Sequence, residues 1–415
     1  MADDIDVLVI GAGLAGLRCA GILARGGRDV RVWDAADAVG GRVRTDVIDG
    51  FRCDRGFQVL NPAYPELKRA VDLASLRLQP FGAGVAVRRS HDSTVWAHPL
   101  REPGRLPLML RRGRFGVKNV ASAVRWLSPA LRPGALKERG VADVTLDKAL
   151  DDCGVDGELR TVIDRFLAGV LLDDTAGTSN AFALLLARVF VLGVPALPAG
   201  GMQALPQALA ATLDGRISLQ RRVTGVKREG SGWRVSADDS AVRARHVVVA
   251  TDPVTAAELT GVTAPPMHGV VTDWWAADSA PVDPPMLWVD GRTGATGPVL
   301  NAAVVSAAAP TYAPPGRHLI EASALLAPDG QPPLESETRR HAAAILGAEA
   351  HGWTLLTRHV IRDALPAQPP PLSARRPVRL PDGLRVCGDH RDTASIQGAL
   401  VSGRRAAETL LRTAT

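Results

Sequence analysis

A short glycine-rich turn between an apolar segment and a helical one constrains this 415-residue chain more than any other feature. Residues 5–10 are apolar and β-branched, as is typical of a buried parallel strand, and Gly-Ala-Gly-Leu-Ala-Gly follows at residues 11–16. A helix is predicted from Leu14 to about Arg25, where two glycines end it before a second strand at residues 29–33. The sequence therefore predicts a βαβ unit.

The glycine spacing is that of a dinucleotide-binding turn. Gly11 permits the tight turn, Gly13 permits the close approach of a pyrophosphate, and Gly16 lets the helix pack against the strand. Leu14 and Ala15 open the helix, and backbone N–H groups at a helix N-terminus attract phosphate. We therefore expect these five residues to bind the diphosphate of a nucleotide.

The second strand ends at an acidic residue, Asp34. A carboxylate at this place accepts hydrogen bonds from both hydroxyls of an adenosine ribose, whereas an arginine would indicate a 2′-phosphate. The acidic residue follows a strand, a glycine turn, a helix and a second strand in the order that dinucleotide-binding units require. This order favours a dinucleotide site over an ordinary turn. On these residues alone, NAD and FAD both stay open.

A second glycine pair follows directly, in the segment Gly40-Gly41-Arg42-Val43-Arg44-Thr45. This segment resembles the second FAD signature of the superfamily that contains flavin amine oxidases, phytoene desaturases and protoporphyrinogen oxidases. The resemblance implies that the loop contacts the pyrophosphate and ribityl chain of FAD. It assigns this role to Gly40, Gly41 and Arg42, together with Arg44.

The far end of the chain resembles the same superfamily. Residues 384–387 are predicted to form a strand that leads into Gly388-Asp389, and a helix is expected from about residue 400 to 411. The resemblance implies that Gly388 and Asp389 lie on the ribityl chain. It also implies that backbone N–H groups of Gln397, Gly398 and Ala399 face the flavin, where a helix N-terminus stabilises negative charge.

A third segment that resembles the superfamily lies between the N-terminal and C-terminal motifs. Residues 198–206 introduce a helix, a strand begins at residue 217, and residues 245–251 are predicted to form a strand and turn that return to the nucleotide-binding domain. By resemblance, Val223 presents a backbone group to adenine.

A chain of this length favours two domains. The resemblance implies an α/β fold: a Rossmann-like, glutathione-reductase-like FAD-binding domain in a two-domain flavoprotein, with an α+β substrate domain. We assign residues 1–62, 198–254 and 363–415 to the FAD-binding domain, and residues 63–197 and 255–362 to the substrate-binding domain. The first insert is predicted to be mostly helical, and the second to contain strands and loops.

The substrate half lacks the features that amine oxidases of the superfamily use. No lysine follows Lys227, the only tyrosines are Tyr64 and Tyr312, and Ser395 stands where an aromatic residue is expected. We therefore favour an FAD-dependent oxidoreductase that desaturates or oxidises a small to medium apolar substrate by hydride transfer to flavin N5. The apolar segments 182–186 and 189–192 are compatible with a substrate tunnel or with ordinary core. An amine oxidase with an atypical active site, and a redox-neutral isomerase or structural flavoprotein, stay as alternatives.

The sequence does not identify catalytic residues. Candidates are the polar groups beside the FAD motifs, each of which could equally cap a helix or face solvent: Asp54, Arg55, Gln58, His390 and Arg391. FAD is expected to be non-covalent, because no attachment motif is recognisable. With one dinucleotide motif, the electron acceptor is expected to be oxygen, a quinone or a protein. The scattered cysteines indicate no metal site.

The net charge of +6 is concentrated in one segment, residues 100–140, which holds ten basic residues and two glutamates. The basic residues alternate with apolar ones, so the segment is read either as a helix that lies on an anionic membrane or as a solvated helical face. No nucleic-acid motif accompanies the charge. The acidic start of the chain resembles no signal peptide, so we expect a cytoplasmic protein, with peripheral membrane contact left open.

Overall fold

The computed structural model describes residues 5–98, 101–105, 117–131, 142–238, 240–292, 294 and 297–412. Within these residues the strands, in chain order, are β1 Ile5–Ile10, β2 Val30–Trp33, β3 Thr45–Ile48, β4 Phe51–Asp54, β5 Leu78–Pro80, β6 Gly84–Arg88, β7 Ser93–Ala97, β8 Ala196–Pro198, β9 Ile217–Ser218, β10 Val223–Glu229, β11 Gly232–Ala237, β12 Ser240–Val249, β13 Met267–Ala277, β14 Leu287–Asp290, β15 Val299–Val304, β16 His318–Leu325, β17 Thr354–Pro366 and β18 Arg385–Val386. The helices are α1 Leu14–Arg25, α2 Pro65–Ala70, α3 Val117–Leu131, α4 Leu146–Asp152, α5 Gly157–Leu171, α6 Asn180–Leu192, α7 Ala204–Ala210, α8 Pro253–Thr260, α9 Val305–Ala308, α10 Glu335–Leu346 and α11 Ile396–Arg412.

The first sheet carries the predicted βαβ unit. Its order is β10-β11-β12-β1-β2-β9, and β18 pairs with β12. β1 lies between β12 and β2 and is parallel to both, so Val7, Leu8 and Val9 are fully buried on both faces of the sheet. The predicted strand, turn, helix and strand are therefore confirmed.

The C-terminal segment closes this layer against α1. β18 is parallel to β12, and α11 lies so close to α1 that a Cβ at Gly403 would stand 2.2 Å from the carbonyl oxygen of Ala15. The predicted helix begins earlier than expected, at Ile396, because the Ser395 hydroxyl accepts the N–H of Gly398 at 3.0 Å and caps the first turn.

The second sheet has the order β17-β13-β16-β15-β14-β6-β7 and is antiparallel except where β14 meets β6. Two of its strands, β6 and β7, come from the insert that the sequence predicts to be mostly helical. Helices α2 to α6 form most of the regular structure described in this insert, and the insert adds the short strand β5 and a β-hairpin between α2 and α3. β17 ends at Pro366, so this strand crosses the predicted domain boundary at residue 362, and the division into domains stays a prediction.

Helices α3 to α6 form a cluster with its own core. Its fully or nearly fully buried members include Trp126, Leu150 and Phe182. α3 is tied to α6 by two side-chain bonds: Trp126 Nε1 donates to the Asn180 amide oxygen at 2.9 Å, and Arg188 donates to the Ala130 carbonyl at 2.6 Å. None of the helices in the described ranges is both long enough and apolar enough to cross a bilayer.

Candidate functional site

A cavity of about 800 Å³ opens at the carboxyl ends of β1, β2 and β12 and extends to the second sheet and to α5 and α6. The carboxyl ends of parallel strands are where ligands bind in open α/β sheets. Most of the predicted cofactor residues line this cavity: Gly11, Gly13, Leu14, Ala15, Asp34, Gly40, Gly41, Arg42, Val223, Gly388, Asp389 and Ala399. Residues from four separate sequence motifs are thus brought to one place.

The second and third glycines of the turn have different surroundings. A Cβ at Gly13 would meet no heavy atom within 4 Å, so the backbone here faces open space. A Cβ at Gly16 would lie 1.9 Å from the Gly11 carbonyl oxygen, which means that α1 packs against β1 only without a side chain there. Gly16 is accordingly absent from the cavity wall, and its place is the predicted contact between helix and strand.

The two glycine-rich loops are joined to each other. The N–H of Gly40 donates to the Ala12 carbonyl at 2.9 Å, and Gly13 and Gly40 pair as a parallel bridge. The second loop therefore forms a continuation of the first along the cavity wall.

The carboxylate of Asp34 is fixed by backbone donors. Its Oδ2 accepts the N–H of Ala12 at 2.6 Å and its Oδ1 accepts the N–H of Ala36 at 2.7 Å. Each oxygen keeps a second lone pair, so the group can still accept hydrogen bonds from a ligand. Two neighbours that the sequence did not single out complete this end: Arg221 stacks over the Trp33 ring at 3.8 Å, and both line the cavity beside Val223.

An ion pair joins the second glycine loop to the C-terminal motif. Arg42 Nη2 lies 2.6 Å from Asp389 Oδ1, and Arg42 Nη1 donates to the Ala364 carbonyl at 2.7 Å. Although burial disfavours the guanidinium charge, Asp389 raises the pKa of Arg42 above its ordinary value. Arg44 pairs instead with the exposed Asp37 at 2.7 Å and lies outside the wall.

The first turn of α11 differs from the expectation in detail. The N–H groups of Gly398 and Ala399 both donate to Ser395, at 3.0 and 2.9 Å, so they are not open donors as the resemblance implies. The Gln397 side chain turns away from the cavity, where its oxygen accepts the N–H of Glu66 at 3.0 Å. Of the three residues, only Ala399 lines the cavity.

Asp54 lies outside the cavity wall and is 1% exposed. It accepts hydrogen bonds from the Thr45 hydroxyl, from the N–H of Met202 at 3.0 Å and from the Tyr312 hydroxyl at 2.9 Å. Burial raises its pKa to about 6. These contacts join β4 to the segments around residues 202 and 312. The Asp54 carboxyl therefore has a structural role.

Of the remaining catalytic candidates, one lines the cavity and three lie outside its wall. Gln58 lines the cavity and donates to the Arg42 carbonyl at 3.1 Å. Arg55 pairs with Asp46 at 2.9 Å outside the wall. His390 is 2% exposed, burial lowers its pKa to about 4, and neither ring nitrogen has a partner among the described residues. Arg391 donates to the Pro377 carbonyl at 3.1 Å. Neither Arg391 nor His390 lines the cavity.

The far part of the cavity is mainly apolar and aromatic. It includes side chains that the sequence did not single out, because they come from strands and helices far apart in the chain: Phe57, Phe81, Trp96, Phe166, Val170, Leu287, Ile361 and Leu365. The two apolar segments considered for a tunnel divide, since Leu186, Phe190 and Val191 line the cavity while Phe182, Ala183 and Leu184 belong to the core of the helical cluster.

Comparison with known proteins agrees with this geometry. The family model for flavin-containing amine oxidoreductases matches residues 14–411. A putative flavin-containing monoamine oxidase of Mycobacterium tuberculosis is 26% identical over 269 residues, and putrescine oxidase of Kocuria rosea is 27% identical over 280 residues. Each match covers 60% of this chain and spans only 57% of the relative.

Solved structures show the same fold along nearly the whole chain. An oxidoreductase from Methanosarcina mazei has a TM-score of 0.77 at 19% identity and covers 97% of this chain and 100% of its own. A putative protoporphyrinogen oxidase from Exiguobacterium sp. has a TM-score of 0.72 at 15% identity, with 99% of each chain covered. At these identities the likeness is one of fold.

The residues in the cavity wall fit a bound dinucleotide. Open space at Gly13 leaves room for a diphosphate, the fixed carboxylate of Asp34 can receive ribose hydroxyls, and Asp389 is held in the wall by Arg42. The chain belongs to the family of flavin-containing amine oxidoreductases, and FAD is its cofactor.

Proposed function

We propose that this chain is an FAD-dependent oxidoreductase that dehydrogenates a small to medium, largely apolar organic molecule. The observation that carries the proposal is the far wall of the cavity, where aromatic and aliphatic side chains dominate. Such a wall holds a substrate by burial and aligns a C–H bond with the cofactor. FAD, when bound, accepts the two electrons that the substrate loses. We propose oxygen, a quinone or a protein as the final acceptor.

The charges in the wall argue against a protonated amine as the preferred substrate. Among the described lining residues the carboxylates are Asp34, Asp252 and Asp389, and no lysine lies there. Each carboxylate has partners: Asp34 holds two backbone N–H groups, Asp252 accepts the N–H of Thr255 at 2.9 Å, and Asp389 is paired with Arg42. A buried ammonium without a counter-charge is costly, so an uncharged substrate is favoured.

Amine oxidation stays the second candidate. Relatives at 26–27% identity are a putative monoamine oxidase and a putrescine oxidase, and the aromatic rings of Tyr64 and Trp96 in the wall could flank a neutral amine. A redox-neutral or structural role of FAD is the third.

An anaerobic titration of the holoenzyme separates the three candidates. The panel holds uncharged apolar compounds and primary amines such as putrescine and cyclohexylamine, and the readout is loss of the visible flavin absorbance. Loss with apolar compounds alone supports the proposal. Loss with amines, together with release of ammonia and of the matching carbonyl compound (an aldehyde from putrescine, cyclohexanone from cyclohexylamine), supports amine oxidation. A compound that binds without any loss of absorbance supports the redox-neutral role.

Two leucines on α6 provide a matched control. Both belong to the helical core, and of the two only Leu186 also lines the cavity. Leu186→Ala should raise the substrate concentration needed for half-maximal reduction, whereas Leu184→Ala should lower thermal stability and leave that concentration unchanged. Equal effects of the two variants on reduction would place the substrate elsewhere.

We also propose a peripheral membrane contact near the cavity. Val120, Val124 and Leu131 lie on one face of α3 and are 49%, 60% and 53% exposed, and Leu192 at the end of α6 is 54% exposed. Arg101 lines the cavity and donates to the Leu192 carbonyl at 2.8 Å, which connects this surface to the cavity. Residues 100, 106–116 and 132–140 of the basic segment lie outside the described residues.

A further inference from the structure

Two polar side chains interrupt the apolar wall of the cavity. Asn301 on β15 and Ser323 on β16 are register partners in the second sheet, and both line the cavity. Each is only 5% exposed, so whatever binds them is shielded from bulk water. Buried polar side chains in native proteins are almost always hydrogen-bonded, yet the Asn301 amide oxygen has no partner among the described residues, which points to a ligand group at this place.

Ser323 belongs to a buried chain of hydrogen-bonded side chains. Thr272 Oγ1 accepts the N–H of Phe57 at 3.3 Å and lies 3.0 Å from Ser323 Oγ. Ser323 Oγ also lies 3.3 Å from Oε2 of Glu321. These two neighbours use two of the three hydrogen-bonding positions of the Ser323 hydroxyl, so one position is left for a group in the cavity.

Asn301 supplies the complementary groups. Its Oδ1 has no hydrogen-bond partner among the described residues, and its amide packs against the backbone of α5, where a Cβ at Gly169 would stand 2.2 Å from Nδ2. A carboxamide carries two donor hydrogens and an acceptor, whichever way it is turned. The side chain is therefore held in place by packing and still has hydrogen-bonding capacity to offer.

The patch carries no charge of its own. Glu321, next to Ser323 on the same face of β16, is fully buried, and burial raises its pKa well above the usual range, which favours the neutral carboxyl. A ligand group that matches a neutral donor and a neutral acceptor is an uncharged oxygen, either a hydroxyl or a carbonyl.

We propose that Asn301 and Ser323 bind a hydroxyl or carbonyl oxygen of the substrate, so that the substrate is an apolar skeleton with one uncharged oxygen function. This inference rests on the proposed function, because it names the substrate class of the same cavity. Glu321 and Thr272 act as positioning residues for the Ser323 hydroxyl.

The test measures binding to the oxidised holoenzyme by calorimetry, without turnover. Two ligand pairs differ only in oxygen: acetophenone with α-methylstyrene, and cyclohexanone with methylenecyclohexane. The holoenzyme should bind the oxygenated member about tenfold more tightly in at least one pair, because the oxygen-free analogue leaves the polar patch unpaired. The double variant Asn301→Leu with Ser323→Ala should reduce this preference to about twofold or less.

Ser306→Ala is the matched control. Ser306 is a buried serine whose hydroxyl accepts the N–H of Leu319 at 3.0 Å at the start of β16, outside the cavity wall. This variant should keep the oxygen preference of the holoenzyme. A second probe, Gly169→Ala, should displace the Asn301 amide and lower the preference without removing any polar group.

Equal binding of both members in both pairs, absence of binding, or a preference that the double variant retains would overturn the inference. Its failure can be told apart from failure of the proposed function. Apolar compounds that reduce the flavin without any oxygen preference leave the function standing and remove the inference. An oxygen preference that depends on Asn301 and Ser323, in a protein whose flavin no bound compound reduces, leaves the polar patch standing and removes the function.

Discussion

Arg42 and Asp389 stand 347 positions apart in the chain, and their side chains meet at 2.6 Å in the cavity wall. Asp389 is only 5% exposed, so water contributes little to the stabilisation of its charge. The Arg42 guanidinium and the N–H of His390 at 3.1 Å compensate this charge instead. The pair fixes the second glycine loop to the C-terminal motif, and both are parts of the proposed FAD site. We therefore expect cofactor binding and the attachment of the C-terminal segment to depend on the same contact.

Replacing Arg42 with alanine should lower both FAD content and stability. The variant leaves a buried carboxylate without its partner, which costs about 1–3 kcal/mol. Arg42→Lys should restore part of the flavin content, since it keeps the charge but cannot reach both Asp389 and the Ala364 carbonyl with a planar fork. The measurements are flavin per polypeptide after purification and the thermal midpoint. Arg216→Ala, which breaks an exposed pair with Asp29, is the control, and an equal loss there would contradict a specific role for Arg42.

Gly13 and Gly16 should respond differently to a side chain. Gly13→Val places atoms in open space on the cavity side, so the protein should fold while its affinity for FAD falls roughly tenfold to a hundredfold, as expected for overpacking of about 1–3 kcal/mol. Gly16→Ala forces α1 away from β1 and should destabilise the apoprotein by about 3 kcal/mol. Titration of apoprotein with FAD, together with denaturant unfolding, measures both. Gly225→Ala, also without neighbours within 4 Å but outside the cavity, should change neither.

The parts of the fold that the sequence predicts depend on local chemistry. The strand at 5–10, the helix that ends at Arg25 and the acid at 34 follow from turn glycines and apolar periodicity within 35 residues. The hairpin β6–β7 was missed because its strands are short, and its place in the second sheet was not predictable because β6 pairs in parallel with the distant strand β14. Long-range pairing of this kind leaves no local signal.

The site was predictable where a motif was visible and unpredictable where side chains converge from separate elements. Asp34, Arg42 and Asp389 belong to recognisable motifs and all line the cavity. Asn301 and Ser323 meet only because β15 and β16 pair, and the sequence around them has no distinctive composition. Gln397 shows the reverse case, because it belongs to a recognisable motif and yet its side chain turns to the N–H of Glu66.

The exposed apolar face of α3 should make the protein bind anionic vesicles. Each basic residue near an anionic surface contributes roughly 1 kcal/mol, so binding should be clear at low salt and weaker at high salt. Val124→Asp should reduce co-sedimentation, because the residue is 60% exposed at the centre of the apolar face. Val47→Asp, at a valine that is 68% exposed on β3, is the matched control and should leave binding unchanged. A wild-type protein that stays in the supernatant with anionic vesicles at low salt would remove the membrane contact.

Glu321 should make the protein less stable as the pH rises. Burial raises its pKa in the folded protein well above the ordinary value of 4.5, so the folded state keeps a proton that the unfolded state releases above that value. The carboxyl therefore contributes its full stability below about pH 4.5, and this contribution falls by about 1.4 kcal/mol per pH unit until the folded pKa is reached. Glutamine cannot ionise and keeps a neutral group behind Ser323.

The Glu321→Gln variant should thus unfold at a higher denaturant concentration than the wild type at about pH 8, with the difference shrinking toward about pH 5. Denaturant unfolding of both proteins across this range gives the difference in unfolding free energy directly, so contributions of other titrating groups cancel. Glu258→Gln makes the same substitution at an exposed position on α8 and controls for loss of a carboxylate as such. A difference between wild type and Glu321→Gln that does not change with pH would show that the Glu321 carboxyl does not hold its proton in the folded protein. The patch at Ser323 would then carry a negative charge, contrary to the neutral patch inferred above.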